Sequence, residues 1–326
     1  MKKLFVKDLE PDPSITGFFL VHEKEVRNTA NGKPYLRMEL GDRTGTVEAR
    51  MWDQFEAVAK EINRDDFIKV QARAELYRNK PQLTLQQVRV AKPDEIDLGD
   101  FLLRTPYDVE ELYKQILGYI GGMKNPWLQQ LCSKILTDPA IVPRFKRAPA
   151  AKVMHHAYVG GLIEHVVGLC GLAKQIASHY AELDVDLLLT AALLHDVGKL
   201  DELCYERAVS YSVEGQLLGH IIMEVESVGK VMDSMEGFPE RLKIVIQHML
   251  ISHHGEYEFG SPKLPMIREA LAFHYMDDLD SKMGAIRAAL AADSGEPDWS
   301  AYSGALARKF LRLDKFLEAP EAAPKK

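Results

Sequence analysis

Residues that could bind a metal ion are concentrated in one part of the chain. Ten of the eleven histidines lie between positions 155 and 277, and the motifs HHAYVGGLIEH, LLHDVGK, SHHG and MDDLD fall in the same interval. A single histidine on an apolar helix is more often a hydrogen-bonded core residue than a ligand, but packing does not explain this concentration. Imidazole and carboxylate ligands together favour Mn, Fe, Co, Ni or Zn over Ca. The sequence therefore predicts a transition-metal site.

The doublet His195-Asp196 directly follows the apolar run LLLTAALL. A carboxylate at the buried end of an apolar helix is costly unless a cation or hydrogen bonds compensate it. A metal ion bound by both side chains would compensate it, and the second oxygen of Asp196 could bridge to a second ion. Gly198 is expected to end the helix without steric cost. A further cation, Lys199, would be useful beside metal ions only if the substrate is anionic, which favours a phosphate.

Further imidazoles and a carboxylate complete a candidate two-metal set: His165, His220, His253, His254 and Asp277. Each has an ordinary structural explanation when it is considered alone, as a helix-end, loop or solvated helix residue. Together they are better explained as ligands, because all lie at helix ends or on otherwise apolar helices.

The residues before the metal motifs predict a small β-barrel. Between positions 14 and 92, five segments alternate in the manner of short strands, and the polar helix DQFEAVAKEI lies between the third and fourth. Turn signals occur at Asn31-Gly32, at Gly41-Asp42 and at Asn79-Lys80-Pro81. Five strands with a helix after the third is the order of an OB-fold, a barrel that often holds single-stranded nucleic acid.

Such barrels bind nucleic acid through aromatic faces and a basic groove. The candidates for such contacts are Tyr35, Arg37, Arg50, Trp52, Tyr77, Arg78 and Lys80. The alternative is that Trp52 and Tyr35 belong to the barrel core and that the cations are a solvated rim.

The remainder of the chain predicts a second, all-helical domain. Prolines, glycine and aspartates interrupt the pattern from position 93 to 106, which predicts a linker. Residues 107–316 then carry apolar side chains at three- and four-residue spacing, as expected of a helical bundle. The low-complexity tail, residues 317–326, is expected to be disordered. The predicted fold class is thus multidomain, with an OB-fold barrel in residues 1–92 followed by a helical domain.

Composition excludes several classes of protein. The net charge is −7, yet residues 1–92 hold 17 basic and 14 acidic residues, so the barrel is slightly basic and charge does not exclude a nucleic-acid partner. No apolar stretch reaches the roughly 18 residues of a membrane span, and no export signal is visible. The three cysteines are far apart and form no CxxC pair. We expect a soluble, cytoplasmic protein without a membrane partner or a disulfide framework.

The order of the candidate ligands resembles that of the HD superfamily of metal-dependent phosphohydrolases. Within that superfamily, HHAYVGGLIEH, LLHDVGK and the pair SHHG and HYMDDLDSK are similar to the YhaM family of 3′-to-5′ exoribonucleases. That family joins an N-terminal OB-fold to an HD domain, and the barrel segment GKPYLRMELGDRTGTVEARMWD extends the resemblance over nearly the whole chain.

The resemblance implies a role for each matched residue. One metal ion would be bound by four side chains, those of His165, His195, Asp196 and Asp277. A second ion would be bound by His220 and His253, and Asp196 would bridge the two ions. His254 is a ligand in some HD relatives and not in others. Asp277 is preferred to Asp278 because the family motif reads Asp, any residue, apolar, acidic, and because Asp278 points about 100° further round the helix.

The predicted function is that of a metal-dependent 3′-to-5′ exoribonuclease that degrades single-stranded RNA, or alternatively single-stranded DNA, to 5′-mononucleotides. Two divalent ions are expected, with Mn favoured over Co, Fe and Ni. Besides Asp196, the candidate catalytic residues are Lys199, to neutralise charge on phosphate, and His155 or His156, to bind phosphate or protonate the leaving oxygen. Alternatively, His155 and His156 belong to a helix N-terminal cap.

Two other functions stay open on the sequence. The first is an HD hydrolase of small or cyclic nucleotides, in which the barrel serves regulation or assembly. The second is a DNA-binding protein whose HD domain is only structural, although such a domain would be expected to have lost one of Asp196, His220 or His253. The sequence also leaves open whether the chain forms a homo-oligomer.

Overall fold

The computed structural model describes residues 4–29, 31–77, 80–101, 104–151, 158–205, 210–291 and 298–318. The chain separates into two compact units, with the boundary between Arg104 and Thr105. Each unit is described by itself below.

The first unit is a closed five-stranded barrel. Its elements are, in chain order, β1 (Asp12–Asn28), β2 (Pro34–Asp42), β3 (Gly45–Met51), α1 (Phe55–Glu61), β4 (Phe67–Tyr77) and β5 (Lys80–Val90). The strands close in the order β1-β2-β3-β5-β4, and all neighbours are antiparallel except β3 and β5. Alternate residues of β2, among them Leu36, Met38 and Leu40, are fully buried in the barrel interior. The predicted OB-fold, including the helix after the third strand, is confirmed.

The turn between β2 and β3 differs from the prediction. Gly41 and Asp42 both belong to β2, and the chain turns at Arg43 and Thr44 instead. Asp42 stabilises this turn from the preceding strand, because its Oδ1 atom accepts a hydrogen bond from the Thr44 amide at 2.7 Å. Its Oδ2 atom accepts another from the Val6 amide at 2.6 Å. Asp42, which the sequence placed in the turn, is therefore the residue immediately before it.

The other two predicted turns lie where two strands meet. Gly32, between β1 and β2, has a φ of +77°, which glycine adopts without strain. Between β4 and β5, Asn79 lies outside the described residues, and Lys80 and Pro81 already belong to β5.

The region predicted as a linker contains two short 3₁₀ turns, Pro93–Glu95 and Leu98–Asp100. Phe101 is buried and packs against Phe67 of β4, with ring centroids 4.8 Å apart. The first part of this region therefore packs on the barrel.

The second unit is helical, as predicted, with one small hairpin. Its elements are α2 (Val109–Gly121), α3 (Pro126–Leu136), α4 (Val142–Phe145), α5 (Gly161–His179), α6 (Val185–Leu194), α7 (Lys199–Glu202), β6 (Leu203–Cys204), β7 (Ser210–Tyr211), α8 (Val213–Leu218), α9 (His220–Asp233), α10 (Glu240–Ser252), α11 (Arg268–Ala291) and α12 (Leu313–Glu318). The apolar helix α6 is central and contacts α3, α5, α10 and α11. It ends where the His-Asp doublet begins.

Three further predictions concern features outside the core. Helix α12 includes the first two residues of the predicted tail, and residues 319–326 lie outside the described chain. Cys132, Cys170 and Cys204 are all free thiols. Within the described ranges, no helix combines the length and apolar character needed to cross a membrane.

Candidate functional site

Seven predicted ligands meet at one end of the helical unit because the ends of several helices converge there. His165 lies in the first half of α5, His195 is the C-terminal cap of α6, and Asp196 follows it. His220 is the first residue of α9, His253 caps the end of α10, and His254 comes next. Asp277 lies within α11.

Four of these side chains form a first group of ligand atoms. The Nε2 atom of His165 is 3.1 Å from Oδ1 of Asp277 and 3.3 Å from Nε2 of His195. The Nε2 atom of His195 is in turn 3.2 Å from Oδ2 of Asp196. His165, His195 and Asp196 are almost completely buried. Lone-pair donors this close together share a proton or a metal ion, and His165, His195 and Asp277 offer ligand atoms close enough for one ion.

A second group lies on the other side of Asp196. Ligand atoms of His220, His253 and His254 fall within 4.8 Å of one another. The Oδ1 atom of Asp196 is 3.7 Å from Nε2 of His220. The two oxygens of one carboxylate therefore face the two groups, as the proposed bridging role requires.

Three buried atoms at this junction have no hydrogen-bond partner within the described chain: Asp196 Oδ1, His220 Nε2 and His253 Nε2. Leaving a buried polar atom unsatisfied costs about 1–3 kcal/mol, and more if it is charged. All three are acceptors or potential metal ligands, and a divalent cation would satisfy them together. The residues present thus fit a pair of divalent ions.

The tautomer of each histidine is set by an acceptor at its Nδ1 atom. Carboxylates accept from His165 (Asp280, 2.7 Å) and from His220 (Glu202, 3.1 Å). Backbone carbonyls accept from the other three: Ala192 for His195 at 3.3 Å, Leu250 for His253 at 2.7 Å, and Phe259 for His254 at 2.8 Å. A proton on Nδ1 leaves the Nε2 lone pair available to a metal.

The pKa values of the clustered groups reflect their neighbours. Burial raises the pKa of Asp196, but His195 and Lys199 outweigh burial and hold that pKa well below its usual range. Burial likewise raises the pKa of Asp277, but the hydrogen bond with His165 and the electrostatic attraction of the neighbouring histidines together outweigh it, so the net shift of the pKa is downward. Burial and the adjacent His254 lower the pKa of His253. Both carboxylates are thus ionised, and His253 is neutral, as metal ligands must be.

Lys199 lies beside the carboxylate that faces both groups. Its Nζ atom donates to Oδ2 of Asp196 at 2.8 Å, and the residue is only 9% exposed. Burial lowers the pKa of Lys199, but the charge and hydrogen bond of Asp196, together with the charges of Asp277 and Glu202, outweigh burial and raise the pKa, so the ammonium group stays protonated. His155 and His156, the other candidate catalytic residues, lie outside the described residues.

The second ligand group and Asp277 of the first border one cavity of about 460 Å³. Its lining includes Lys199, three of the histidines and Asp277, together with Asp278 and Lys282. Asp278 accepts a hydrogen bond from Lys282 at 2.6 Å, whereas Asp277 contributes an oxygen to the first ligand group. Which of the two aspartates binds a metal stays a prediction.

Sequence reasoning missed the carboxylates behind the ligands. Asp280 contacts His165, and Glu202 contacts His220. Glu224 is fully buried, with Oε1 3.6 Å from Nδ1 of His253, and burial raises its pKa well above the usual value. One signal was available: Asp280 follows Asp277 by three residues, and such residues share a helix face.

Gly198 does not end a helix in the left-handed conformation, as the sequence suggested. Its φ of −61° and ψ of −25° are helical, and it caps the start of α7. The reason for a glycine is space, because a Cβ atom on Gly198 would collide with the carbonyl oxygen of His220. The missing side chain lets α9 approach the doublet and bring His220 to Asp196.

In the barrel unit, three predicted aromatic residues gather around one arginine. The rings of Tyr35 and Trp52 stack with centroids 4.7 Å apart. The guanidinium carbon of Arg50 lies 5.9 Å from the ring centroid of Tyr35, 6.0 Å from that of Trp52 and 5.6 Å from that of Tyr77. Trp52 is 40% exposed and Tyr77 50% exposed, so they do not belong to the core. They offer flat surfaces to solvent on which a base could stack.

The two predicted cations of the barrel whose side chains are described are both paired with carboxylates, and Arg50 forms an ion pair with Glu48 at 2.6 Å. Arg37 forms ion pairs with Glu25 at 2.7 Å and with Glu48 at 3.0 Å, so its charge is already compensated. Arg78 lies outside the described residues, and only the backbone of Lys80 is described. The prediction omitted one cation, Arg73 of β4. Arg73 and Arg50 of β3 both pair with Thr84 of β5, so the two arginines lie on the same face of the sheet.

Comparison with known proteins gives a class for each unit. Residues 162–282 match the model of the HD domain, and residues 21–91 match that of an OB-fold nucleic acid binding domain. An HD domain indicates a metal-dependent phosphohydrolase. Together with the OB-fold, it indicates a hydrolase that acts on nucleic acid.

Solved structures similar to this chain include single-stranded DNA-binding proteins. The second OB-fold domain of replication protein A from Methanococcus maripaludis is 17% identical, with a TM-score of 0.22, over 27% of this chain and 93% of that one. Rim1, a mitochondrial single-stranded DNA binding protein from S. cerevisiae, is 14% identical, with a TM-score of 0.22, over 24% of this chain and 94% of that one.

Proposed function

We propose that the protein is a metal-dependent 3′-to-5′ exonuclease that hydrolyses single-stranded RNA to 5′-mononucleotides. The observation that carries the proposal is the position of Asp196, whose two oxygens face two groups of histidines. The second group and Asp277 of the first border one cavity. Divalent ions at these groups would activate a water nucleophile and neutralise charge on the attacked phosphoryl group.

The protein's own residues prepare the cavity for an anion. Lys199 keeps its proton beside Asp196, so a positive charge faces the cavity where phosphate oxygens would lie. Hydrolysis joins the water oxygen to phosphorus, breaks the bond from phosphorus to the 3′ oxygen of the preceding nucleotide, and transfers a proton to that oxygen. We assign this last proton transfer to His155 or His156, as the sequence predicts.

The barrel supports a polymeric substrate over a small one. Its exposed aromatic rings around Arg50 have no use in an enzyme that hydrolyses only mononucleotides. Stacking contributes about 1–3 kcal/mol per base and tolerates any sequence, which suits an exonuclease without sequence preference. Discrimination between RNA and DNA would require contacts to the 2′-hydroxyl.

The test is incubation of the purified protein with Mn²⁺ and a 5′-labelled single-stranded RNA, beside a DNA of the same sequence. We expect a ladder that shortens from the 3′ end and releases 5′-mononucleotides, and no ladder with EDTA or with Asp196→Ala. Intact polymers, together with hydrolysis of a cyclic or small nucleotide, would replace this proposal with the small-molecule alternative.

A further inference from the structure

Two aromatic side chains line the cavity of the metal centre without contributing a ligand atom. Phe259 is 61% exposed and Tyr211 is 43% exposed, and both border the space that His220, His253 and His254 also border. Large exposed aromatic side chains beside a polar catalytic centre offer a surface on which a flat ligand can stack.

The backbone beside each aromatic residue is connected to the second ligand group. The carbonyl oxygen of Phe259 accepts a hydrogen bond from Nδ1 of His254 at 2.8 Å. Tyr211 pairs with Leu203 in the small hairpin, and the next amide, that of Ser212, donates to the carbonyl of Glu202 at 2.8 Å. The side chain of Glu202 contacts His220. Both aromatic residues are thus fixed relative to the histidines.

The rest of the cavity matches a ligand with an anionic part and a flat apolar part. Three carboxylates, Glu202, Asp277 and Asp278, also line it, and Lys282 is paired with Asp278. The positive charge for an anionic part therefore comes from Lys199 and from the ions that the ligand groups would hold, and Ala150, Ala285 and Leu306 supply apolar surface. The volume of about 460 Å³ lies within the range of roughly 300–1,000 Å³ that small-molecule sites occupy. A nucleotide has both parts, a phosphate group and a planar base.

We propose that Phe259 and Tyr211 form a nucleobase subsite, in which the base of the terminal nucleotide stacks while its phosphate faces the ligand groups. The occupant, the 3′-terminal residue of a polymer, rests on the proposed function. Stacking uses the face of a base rather than its edges, so this subsite accepts all four bases. By holding the base of the terminal nucleotide, it positions the scissile phosphate at the ligand groups.

The structure provides a matched control for Phe259. Tyr257 belongs to the same 3₁₀ turn and is 60% exposed, but it is not among the residues that line the cavity. Replacing Tyr257 by alanine therefore removes an aromatic ring of similar exposure from the same turn without changing the subsite.

The first experiment measures binding rather than catalysis. Calorimetry of the Mn²⁺-loaded protein compares AMP with ribose 5-phosphate, which lacks the base. We expect AMP to bind about 5- to 150-fold more tightly, the range that stacking of one base provides. Phe259→Ala should abolish most of this preference and Tyr211→Ala should reduce it, whereas Tyr257→Ala and Phe259→Trp should keep it.

Two results would overturn the subsite. One is a Phe259→Ala protein that still prefers AMP, or that loses affinity for both probes equally, as damage to the phosphate site would cause. The other is a preference that disappears in Trp52→Ala and not in Phe259→Ala, because the base would then bind on the barrel. Metal content, measured by mass spectrometry, checks that Phe259→Ala retains its ions.

The same variants in the RNA assay separate this inference from the proposed function. If RNA stays intact but the AMP preference depends on Phe259, the exonuclease proposal fails and the subsite stands. If RNA is shortened and Phe259→Ala keeps the AMP preference, the subsite alone is wrong.

Discussion

Oδ1 of Asp196 faces Nε2 of His220 across 3.7 Å, and both atoms lack a hydrogen-bond partner in the described part of the chain. The other oxygen of the same carboxylate is 3.2 Å from Nε2 of His195. One side chain therefore joins two ligand groups, and its removal should affect both.

The first prediction concerns Asp196, which faces both ligand groups. Asp196→Asn replaces one acceptor oxygen by an amide nitrogen that has no lone pair for a metal. We expect bound Mn²⁺ to fall from two ions per chain to one or none, and RNA hydrolysis to fall at least about 100-fold because the water nucleophile is no longer activated. Metal analysis after dialysis measures the first effect. Asp201→Asn, an exposed carboxylate paired with Arg144, is the control. Two retained ions would rule out a bridging role.

The placement of His195 and Asp196 at the end of a buried helix could be predicted from the sequence, because the doublet directly follows the apolar run LLLTAALL. Glu202 could not, since carboxylates are abundant on helix surfaces and only tertiary packing brings this one to a histidine. For Asp280 the only signal was its three-residue spacing from Asp277, which does not reveal its contact with His165. Arg37 was a candidate for binding nucleic acid because it is a basic residue of the barrel, and its ion pairs with Glu25 and Glu48 could not be foreseen because those glutamates come from other strands. Pairing across strands leaves no local pattern in the sequence.

The second prediction concerns Asp280. Its 2.7 Å contact holds the His165 ring with Nε2 directed at the first group. Loss of such a supporting carboxylate typically lowers metal affinity about 10- to 100-fold, so Asp280→Asn should raise the Kd for Mn²⁺ by that factor. Titration of the metal-free protein by calorimetry measures it. Asp278→Asn, two residues away and paired with Lys282, should leave the Kd unchanged. Equal effects of the two substitutions would contradict the assignment.

The third prediction is a pH dependence of the metal-free protein. Burial lowers the pKa of His165, but Asp277 and Asp280 outweigh burial and raise it to about 9. The unfolded value is about 6.5. Because the folded pKa is the higher one, the stabilisation is fully present below about pH 6.5 and is lost as pH rises through about 9. The pKa values of His253 and His254 are lowered in the folded protein, so these two residues reduce the stability of the fold as the pH falls below about 6.5.

Thermal unfolding in EDTA should therefore give a Tm that decreases from pH 7 to pH 9. His165→Gln should remove most of this decrease, since glutamine does not titrate. A Tm that rises over the same interval in the wild-type protein would show that His165 is not protonated in the metal-free fold.

The fourth prediction tests the barrel surface. Trp52→Ala removes an exposed ring that stacks on Tyr35, and we expect affinity for a single-stranded RNA to fall about 5- to 150-fold. Trp52→Phe keeps a ring and should retain most of the affinity. Fluorescence anisotropy of a labelled oligonucleotide measures both. An alanine variant that binds as tightly as the wild-type protein would move the polymer site away from this face.

The fifth prediction follows from the close approach of α9 to Gly198. In Gly198→Ala the new methyl group meets the carbonyl oxygen of His220, and relief of that collision must displace the start of α9. Because His220 is the first residue of that helix, the second ligand group should lose its ion while the first, which draws on α5, α6 and α11, keeps one. Metal analysis should find about one ion per chain. Gly118→Ala is the control, since a Cβ there meets nothing within 4 Å and helix propensity favours alanine by about 1 kcal/mol. A Gly198→Ala protein that folds and retains two ions would show that α9 can shift without moving His220, and that close packing at the doublet is not what positions the second group.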